Sequence, residues 1–183
     1  HWQDIPGLSE EKVNKSRASY CGELTMVDTW IGHLLKMVEN MGLMENTAII
    51  FTTDHGFYFG EHGGLFGKIT KGWNEAEGRI YKMGDLGDCY VHSPFYEEVI
   101  ACPLTIYVPG VSPNIYDGLT SAVDLMPTVL DIVGQKIPGT VEGQSLLPVL
   151  KDPSRAGREF VISALPFTNA GETVRWVDDQ VRV

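Results

Sequence analysis

The chain has 183 residues, 43% of them hydrophobic, which is enough for one domain with a sizeable core. Its formal net charge of -10 argues against a nucleic-acid partner, because phosphate backbones attract basic surfaces. No apolar run is long enough to span a bilayer, so the sequence predicts no membrane segment. The three cysteines, Cys21, Cys89 and Cys102, lack metal-type spacing, and their odd number favours a reducing compartment such as the cytoplasm over a disulfide framework.

The first predicted element is a long amphipathic helix that begins after Ser9 and ends at Gly42. Ser9 precedes two acidic residues, which the helix dipole favours in the first turn. Apolar residues then recur with a 3–4 rhythm: Leu24, Val27, Ile31, Leu34, Leu35, Val38 and Met41. We expect this apolar side to lie on a sheet. We interpret His33 as an ordinary packed or surface histidine, because one histidine on such a helix makes no site.

The second element is a strand over residues 47–53, whose β-branched and aromatic side chains predict that it is buried. Asp54, His55 and Gly56 follow directly, at the carboxyl end of the strand, where open α/β sheets place their active sites. A carboxylate and an imidazole are both ligands for a divalent cation, and Gly56 allows a sharp turn. The alternative interpretation is a capped turn with a surface histidine.

A glycine-rich segment runs from Gly60 to Lys68. It places three polar side chains, Glu61, His62 and Lys68, among four glycines. We expect a loop that folds tightly about a small charged group. Lys68 suits a tetrahedral oxyanion, because its ammonium is a point charge on a flexible stem; a solvated lysine after a turn is the alternative.

A long stretch over residues 69–93 follows and separates Lys68 from the motif Tyr96-Glu97-Glu98. It is rich in glycine, mixed in charge and without strong periodicity. Loops of this length inside a compact domain are usually functional, so we interpret it as a flap that shapes substrate choice. A solvated surface excursion is equally consistent with the sequence.

The next two elements have clear ends. Residues 104–108 predict a strand closed by Pro109 and Gly110. Asp124 is the predicted cap of a helix that carries Pro127 in its first turn and stops at Gly134. The side chains expected on its buried side are Leu125, Met126, Val129, Leu130, Ile132 and Val133. Residues 158–164 and 173–177 predict two further strands.

These motifs, taken in order, resemble the sulfatase family of the alkaline phosphatase superfamily. Its members carry a strand, then Asp-His-Gly or Asp-Asn-Gly, then Gly-Glu-His-Gly and a lysine, and later a Tyr-Glu-Glu segment and an Asp-Leu-x-Pro-Thr helix. The resemblance covers nearly the whole chain. It implies an α/β fold, namely part of a three-layer alkaline-phosphatase-like sandwich with a mixed sheet and helices on both faces. Residues 1–183 would form the C-terminal part of the catalytic domain, with a loop insertion at 69–93.

The resemblance also assigns roles to single residues. Asp54 and His55 would be metal ligands, and Lys68 would contact the sulfate oxygens or the leaving oxygen. His62 and His92 are candidate catalytic residues: His62 would contact the substrate or, as the alternative, shape the glycine-rich loop, and His92 would act as a general acid or contact the oxyanion. Glu61, Tyr96, Glu97 and Glu98 would be loop and supporting groups. Relatives of this type usually hold calcium, while the imidazole ligand also suits manganese or zinc, and magnesium is a further candidate.

The nucleophile of the family does not occur in this sequence. The family signature is Cys or Ser followed by x-Pro-x-Arg, with the first residue converted to formylglycine, and none of the three cysteines lies in such a context. The resemblance therefore implies a hydrolase of small-molecule sulfuric esters whose N-terminal half supplies the nucleophile. We expect the chain alone to be inactive.

Two other functions stay open. A phosphonate monoester or phosphodiester hydrolase of the same superfamily would use the same cation and lysine. A non-catalytic fragment would only bind metal or a partner. In all three cases, missing neighbours would leave sheet edge and apolar surface uncovered, which predicts self-association through that face.

Overall fold

The computed structural model describes residues 9–64, 66–67, 73–74, 79–80 and 95–163. The chain divides into two compact units. Unit 1 comprises His1–Leu43 and Phe51–Thr105, and unit 2 comprises Met44–Ile50 and Ile106–Val183. Within the described ranges, no helix has the length and apolar character that a bilayer crossing requires.

The described elements alternate short strands with helices of very different length. The helices are α1 (Glu10–Asn40), α2 (Glu61–Gly64), α3 (Glu97–Ile100), α4 (Leu125–Ile132) and α5 (Leu147–Lys151). The strands are β1 (Ile49–Thr52), β2 (Tyr58–Phe59), β3 (Phe66–Gly67), β4 (Trp73–Asn74), β5 (Arg79–Ile80) and β6 (Leu104–Tyr107). Among these residues β1 pairs with β6, and β2–β3 and β4–β5 form two antiparallel pairs. The strands predicted over 47–53 and 104–108 are thus confirmed with slightly narrower limits.

Most of the proposed flap lies outside the described residues. Within 69–93 the structure describes only β4 and β5, in which Trp73 pairs with Ile80 and Asn74 with Arg79. The interpretation of this stretch as a flap therefore stays a prediction. The strand predicted over 173–177 also falls outside the described ranges.

Both ends of α1 follow the capping signals of the sequence. The Ser9 side chain accepts a hydrogen bond of 3.3 Å from a backbone N–H of the first turn. At the other end Gly42 adopts a φ of +68°, which L side chains rarely adopt. The N–H groups of Gly42 and Leu43 donate back to carbonyls of the last turn at 2.9 and 3.0 Å, the Schellman arrangement. The predicted limits of the helix are confirmed.

The predictions that the apolar stripe of α1 is covered along its length and that β1 is buried are wrong for the described residues, although the N-terminal part of α1 contacts β2. Val13 is buried, but the apolar stripe farther along the helix is exposed, with Leu34 at 58%. In β1, Phe51 is 46% exposed. The reason is that a hydrophobic pattern is buried only where another layer covers it, and β1 belongs to a sheet of only two described strands.

Among the described residues, the core of unit 1 is small and aromatic. Tyr58 is fully buried and packs with Val99 of α3. Beside it, the rings of Tyr20, Phe57 and Phe59 form a trio with centroid separations of 4.8 to 5.4 Å. Since Tyr20 belongs to α1, this trio attaches the N-terminal part of α1 to β2 and to the residue before it.

Unit 2 is organised around the carboxylate of Asp124, whose side chain is 1% exposed. It accepts hydrogen bonds from the backbone N–H groups of Ser121 at 2.9 Å and Gln144 at 2.8 Å. Arg158 binds it with both Nε, at 3.0 Å, and Nη2. Asp124 occupies the N-cap position of α4, as predicted, but its side chain does not cap α4; it closes a capping box with Ser121 around the preceding 3-10 turn.

Burial raises the pKa of Asp124, but the hydrogen bonds from Arg158 and from the two backbone N–H groups outweigh it, so the pKa lies below its ordinary value. The pKa of Arg158 is raised by the same pair. Both groups are therefore charged in the folded protein near neutral pH.

The buried side of α4 differs from the predicted one. Pro127 and Thr128 are the buried residues, whereas Met126, Val129 and Val133 are exposed. The hydroxyl of Thr128 donates to the Asp124 carbonyl at 2.6 Å and accepts from a backbone N–H of the segment before α5 at 2.8 Å. The side of α4 that faces the interior is therefore the side that makes polar contacts with the Asp124 network.

The prediction of a strand over 158–164 is also wrong for residues 158–163, which are the part that the structure describes. Arg158 makes a single antiparallel bridge to Leu119, and residues 159–163 have no strand conformation. The side chain of Arg158 binds Asp124. The bridge between Arg158 and Leu119 therefore lies beside an ion pair, and among the described residues it does not continue into a strand.

Replacing Arg158 tests the importance of this pair. Arg158→Ala leaves the Asp124 carboxylate buried without its cation, and we expect the free energy of unfolding to fall by about 3–5 kcal/mol. Urea denaturation followed by circular dichroism measures the loss. Arg155→Ala, which removes an exposed arginine three residues earlier, is the matched control and should change stability by less than about 0.5 kcal/mol. Equal urea midpoints for the two variants would contradict the expectation.

The same pair predicts a dependence of stability on pH. Because the folded pKa of Asp124 is depressed, its contribution is complete above the unfolded pKa of about 3.9 and is lost as pH falls through the lower folded value. Thermal unfolding between pH 6 and pH 2.5 should therefore show an acid-induced loss that is smaller in Asp124→Asn than in the wild type. An identical acid profile for the two proteins would count against a depressed pKa.

Candidate metal centre

The loop that carries Asp54 and His55 is held by the backbone of α3. The N–H of Gly56 donates to the Val99 carbonyl at 2.8 Å, and the N–H of Phe57 donates to the Glu98 carbonyl at 3.0 Å. A Cβ atom at Gly56 would lie 1.9 Å from the Glu98 carbonyl oxygen. Glycine is therefore required here by the close approach of two backbones, which is a different reason from the sharp turn expected from the sequence.

Asp54 and His55 face each other at the surface of unit 1. The backbone N–H of His55 donates to Asp54 Oδ1 at 3.0 Å, and His55 Nε2 lies 3.2 Å from Asp54 Oδ2. The other ring nitrogen, Nδ1, lies 2.8 Å from the Gly56 carbonyl oxygen. Since a carbonyl only accepts, Nδ1 carries the proton in this contact, and Nε2 is the nitrogen left to face the carboxylate. The Asp54 side chain is 80% exposed.

This geometry suits a cation. In the neutral ring, the lone pair of Nε2 lies beside an Asp54 carboxylate oxygen 3.2 Å away, and the two repel each other. A bound cation or a second ring proton between them would remove this repulsion. A metal-binding imidazole usually donates its other N–H to a carbonyl or carboxylate, as Nδ1 does here to Gly56. The two side chains supply only part of a coordination sphere, and the described residues contain no group of three or more His, Cys, Asp or Glu placed to hold a metal.

The glycine-rich turn is bound to the same short helix α3. His62 Nε2 lies 3.0 and 3.1 Å from the two carboxylate oxygens of Glu98. The His62 ring stacks on Tyr96, with centroids 3.6 Å apart and planes inclined by 11°. Tyr58, at the start of β2, accepts a hydrogen bond of 3.2 Å from the Tyr96 N–H through its hydroxyl.

The structure thus describes three of the five predicted site residues. It brings Asp54 and His55 together and places His62 against Glu98. Lys68 and His92 lie outside the described residues, so their roles stay predictions.

The sequence predicts Glu98 only as a loop or supporting group, and the structure shows that its carboxylate is the partner of His62. The pKa of Glu98 lies below its ordinary value, because its own backbone N–H donates to the carboxylate and because His62 donates a second hydrogen bond. The available signal was the Tyr-Glu-Glu motif, which marks the segment but does not identify the partner of either glutamate.

An open pocket of about 490 Å³ lies in unit 2, beside the Asp124–Arg158 pair. Tyr116, Gln144, Ser145 and Arg155 are among the side chains that line it. Asp124 and Arg158 neutralise each other there, and Asp54, His55 and His62 do not line the pocket. The pocket and the candidate metal ligands therefore belong to different places in the chain.

Comparison with known proteins identifies the family. The protein-family model with the description Sulfatase matches residues 3–135. The chain therefore belongs to the sulfatase family. The multifunctional alkaline phosphatase superfamily protein PehA of Trinickia caryophylli is 32% identical over 148 residues, which are 79% of this chain and 24% of that protein. The N-acetylglucosamine-6-O-sulfatase of Bacteroides thetaiotaomicron is 32% identical over 161 residues, 86% of this chain and 24% of that protein. The chain thus spans about a quarter of the length of these relatives.

Solved structures agree with the predicted fold class. A phosphonate monoester hydrolase from Silicibacter pomeroyi is similar at a TM-score of 0.65 and 30% identity, covering 87% of this chain and 26% of the other. A protein solved in complex with its substrate D-glucosamine-2-N,6-O-disulfate is similar at a TM-score of 0.51 and 30% identity. The similarity covers 77% of this chain and 24% of that protein. The prediction of a partial α/β fold of the alkaline-phosphatase type is confirmed.

Gly56→Ala tests the contact between the loop and α3. The added Cβ overlaps the Glu98 carbonyl oxygen, so the loop must move away and the two N–H···O bonds must lengthen. We expect a destabilisation of about 1–3 kcal/mol and faster amide hydrogen exchange over residues 55–58. Gly22→Ala in α1, where a Cβ meets nothing within 4 Å, is the control and should stabilise by about 0.5–1 kcal/mol. A stabilisation by Gly56→Ala similar to that by Gly22→Ala would show that the close approach at Gly56 is unimportant.

Proposed function

We propose that this chain is part of a sulfatase-like enzyme that hydrolyses small-molecule sulfuric esters with the help of a divalent cation. The observation that carries the proposal is the Asp54–His55 pair, with its imidazole Nδ1 held by a carbonyl and its Nε2 beside a carboxylate oxygen. Membership of the sulfatase family supports it. A bound cation would polarise an ester oxygen and stabilise the negative charge that develops during attack.

The residues of this chain would then have distinct roles. Asp54 contributes negative charge to the cation, and His55 contributes Nε2, oriented by the hydrogen bond from Nδ1 to Gly56. Calcium is the metal expected from the family, while this donor pair also suits manganese, magnesium or zinc. Lys68 and His92 are proposed to contact the oxygens of the substrate or its leaving group.

The proposed nucleophile is a formylglycine that lies outside these 183 residues. The sequence has no Cys or Ser followed by x-Pro-x-Arg. We therefore propose that residues 1–183 alone have little or no activity and that turnover requires the remainder of a catalytic domain such as the relatives possess.

A phosphonate monoester or phosphodiester hydrolase is the second candidate. It is favoured by the similarity to the Silicibacter pomeroyi phosphonate monoester hydrolase and to PehA. Sulfate and phosphonate esters both present tetrahedral anions, so the same cation and lysine could serve either reaction. A non-catalytic metal-binding fragment is the third candidate, and it predicts metal binding without turnover of either ester.

The experiment uses the natural polypeptide that contains this sequence, with all residues that its gene encodes on either side. We expect kcat/KM to be higher for an aryl sulfate than for an aryl phosphonate monoester. Asp54→Asn, which keeps the size of the side chain but removes its charge, should lower kcat by at least about 100-fold and weaken calcium or manganese binding measured by calorimetry. Glu45→Gln is a control that removes one exposed carboxylate from outside this loop.

Three outcomes separate the candidates. A higher kcat/KM for the phosphonate supports the second candidate over the first. Metal binding with no turnover of either ester supports the third. Robust hydrolysis of the aryl sulfate by residues 1–183 alone would show that the nucleophile lies within the chain and would contradict the proposed division of the site.

Self-association of residues 1–183 is a further expectation. The exposed stripe on α1, which includes Leu24, Val27 and Leu34, gives the isolated chain an apolar surface in water. Multi-angle light scattering should therefore report dimers or larger species, and Leu34→Glu should shift the distribution toward monomer. A monodisperse wild-type monomer would count against an associating face.

A further inference from the structure

The segment that contains α3 contacts three consecutive parts of unit 1. Its carbonyls accept the N–H groups of Gly56 and Phe57, directly after the candidate metal ligands. Its Tyr96 N–H donates to the hydroxyl of the buried Tyr58 in β2. Its Glu98 carboxylate binds His62 in α2. Because α3 has only four residues, these contacts and not helix propensity must fix its position.

Glu98 is the residue that joins the first and the last of these parts. Its main-chain carbonyl accepts from Phe57, two residues after His55. Its side-chain carboxylate accepts from His62 at 3.0 and 3.1 Å. A displacement of Glu98 would therefore move both the loop with the candidate ligands and the glycine-rich turn.

The backbone of His62 gives an independent indication that its side chain has a specific use. His62 has a φ of +50°, the only positive φ of a non-glycine residue among the described residues. Such a conformation is strained for a residue with a Cβ atom and persists where surrounding contacts determine it. Glycine or asparagine would adopt it at lower cost. The two contacts of the imidazole, with the Glu98 carboxylate and with the face of Tyr96, offset this cost.

We propose that Glu98 and His62 act together as positioning residues. The hydrogen bond between their side chains holds α2 against α3, the same short helix that holds the Asp54–His55 loop, and so fixes the spacing between the glycine-rich turn and the candidate metal ligands. The inference rests on the proposed function of this site. It replaces the expectation that His62 contacts the substrate, because its Nε2 is bound to Glu98 and one ring face is covered by Tyr96.

A set of single variants in the natural full-length polypeptide tests the proposal. Glu98→Ala removes the hydrogen bond to His62, and we expect kcat to fall about 10- to 100-fold with KM changed less than threefold. Glu98→Gln retains one acceptor for His62 and should recover part of that loss. Glu97→Ala is the matched control, since this exposed neighbour in α3 makes no side-chain hydrogen bond or ion pair with the described residues. Its kcat should stay within twofold of the wild type.

The partnership between the two residues is tested by a double-mutant cycle. His62→Asn keeps a residue that tolerates the positive φ but removes the imidazole. If Glu98 and His62 act through one contact, Glu98→Ala combined with His62→Asn should cost no more than the larger single loss. Losses that multiply would overturn the idea of a pair.

Two measurements do not depend on turnover. Calcium or manganese affinity, measured by calorimetry, should weaken about 10-fold in Glu98→Ala and His62→Asn but not in Glu97→Ala. Amide hydrogen exchange should accelerate together over residues 55–58 and 60–64 in the first two variants. If neither ester is hydrolysed, the proposed function fails while these measurements still decide the inference. Unchanged metal affinity with faster exchange confined to residues 60–64 would overturn it, because the pair would then stabilise only its own turn.

Discussion

The contact on which unit 1 depends is the docking of the loop backbone on α3. Two N–H groups of the loop, from Gly56 and Phe57, donate to two carbonyls of α3 at 2.8 and 3.0 Å. This contact requires that no side chain be present at residue 56, since a Cβ would lie 1.9 Å from a carbonyl oxygen. Main-chain hydrogen bonds fix the loop directly, so the neighbouring Asp54 and His55 are presented from a defined backbone although Asp54 itself is largely exposed.

In unit 2, irregular segments are held together by a charged side chain and not by a close approach of two backbones. A buried carboxylate, Asp124, collects two backbone N–H groups and the guanidinium of Arg158, and it thereby joins segments that are 20 and 34 residues away along the chain. Burying this charge is tolerable because hydrogen bonds fully replace its water. The two units therefore show two ways of fixing irregular chain: a close approach of bare backbone in one and a satisfied ion pair in the other.

The sequence predicts well what is decided locally. The ends of α1 follow from Ser9 and Gly42, and the adjacency of Asp54 and His55 is given by the sequence itself. Contacts between distant residues were missed, such as those of Glu98 with His62 and of Asp124 with Arg158, because residue spacing carries no sign of which long-range partner a carboxylate takes.

The predictions of which side chains are buried failed for a different reason. The apolar pattern of α1 and β1 correctly marks side chains suited to a core, but whether water reaches them depends on layers that the pattern does not specify. In α4 the prediction chose the apolar residues, while the buried face contains Thr128 because a buried hydroxyl with both a donor and an acceptor partner has no unsatisfied polar group.

The aromatic trio of Tyr20, Phe57 and Phe59 determines the direction of α1 relative to β2. With a rise of about 1.5 Å per residue, this 31-residue helix is about 46 Å long, which exceeds the width of a small domain. In its first three turns Val13 is buried and Tyr20 contacts Phe57 and Phe59, and the apolar stripe continues for several turns beyond them. The three rings therefore set the direction in which that stripe extends, and the orientation of any layer that covers the stripe depends on them.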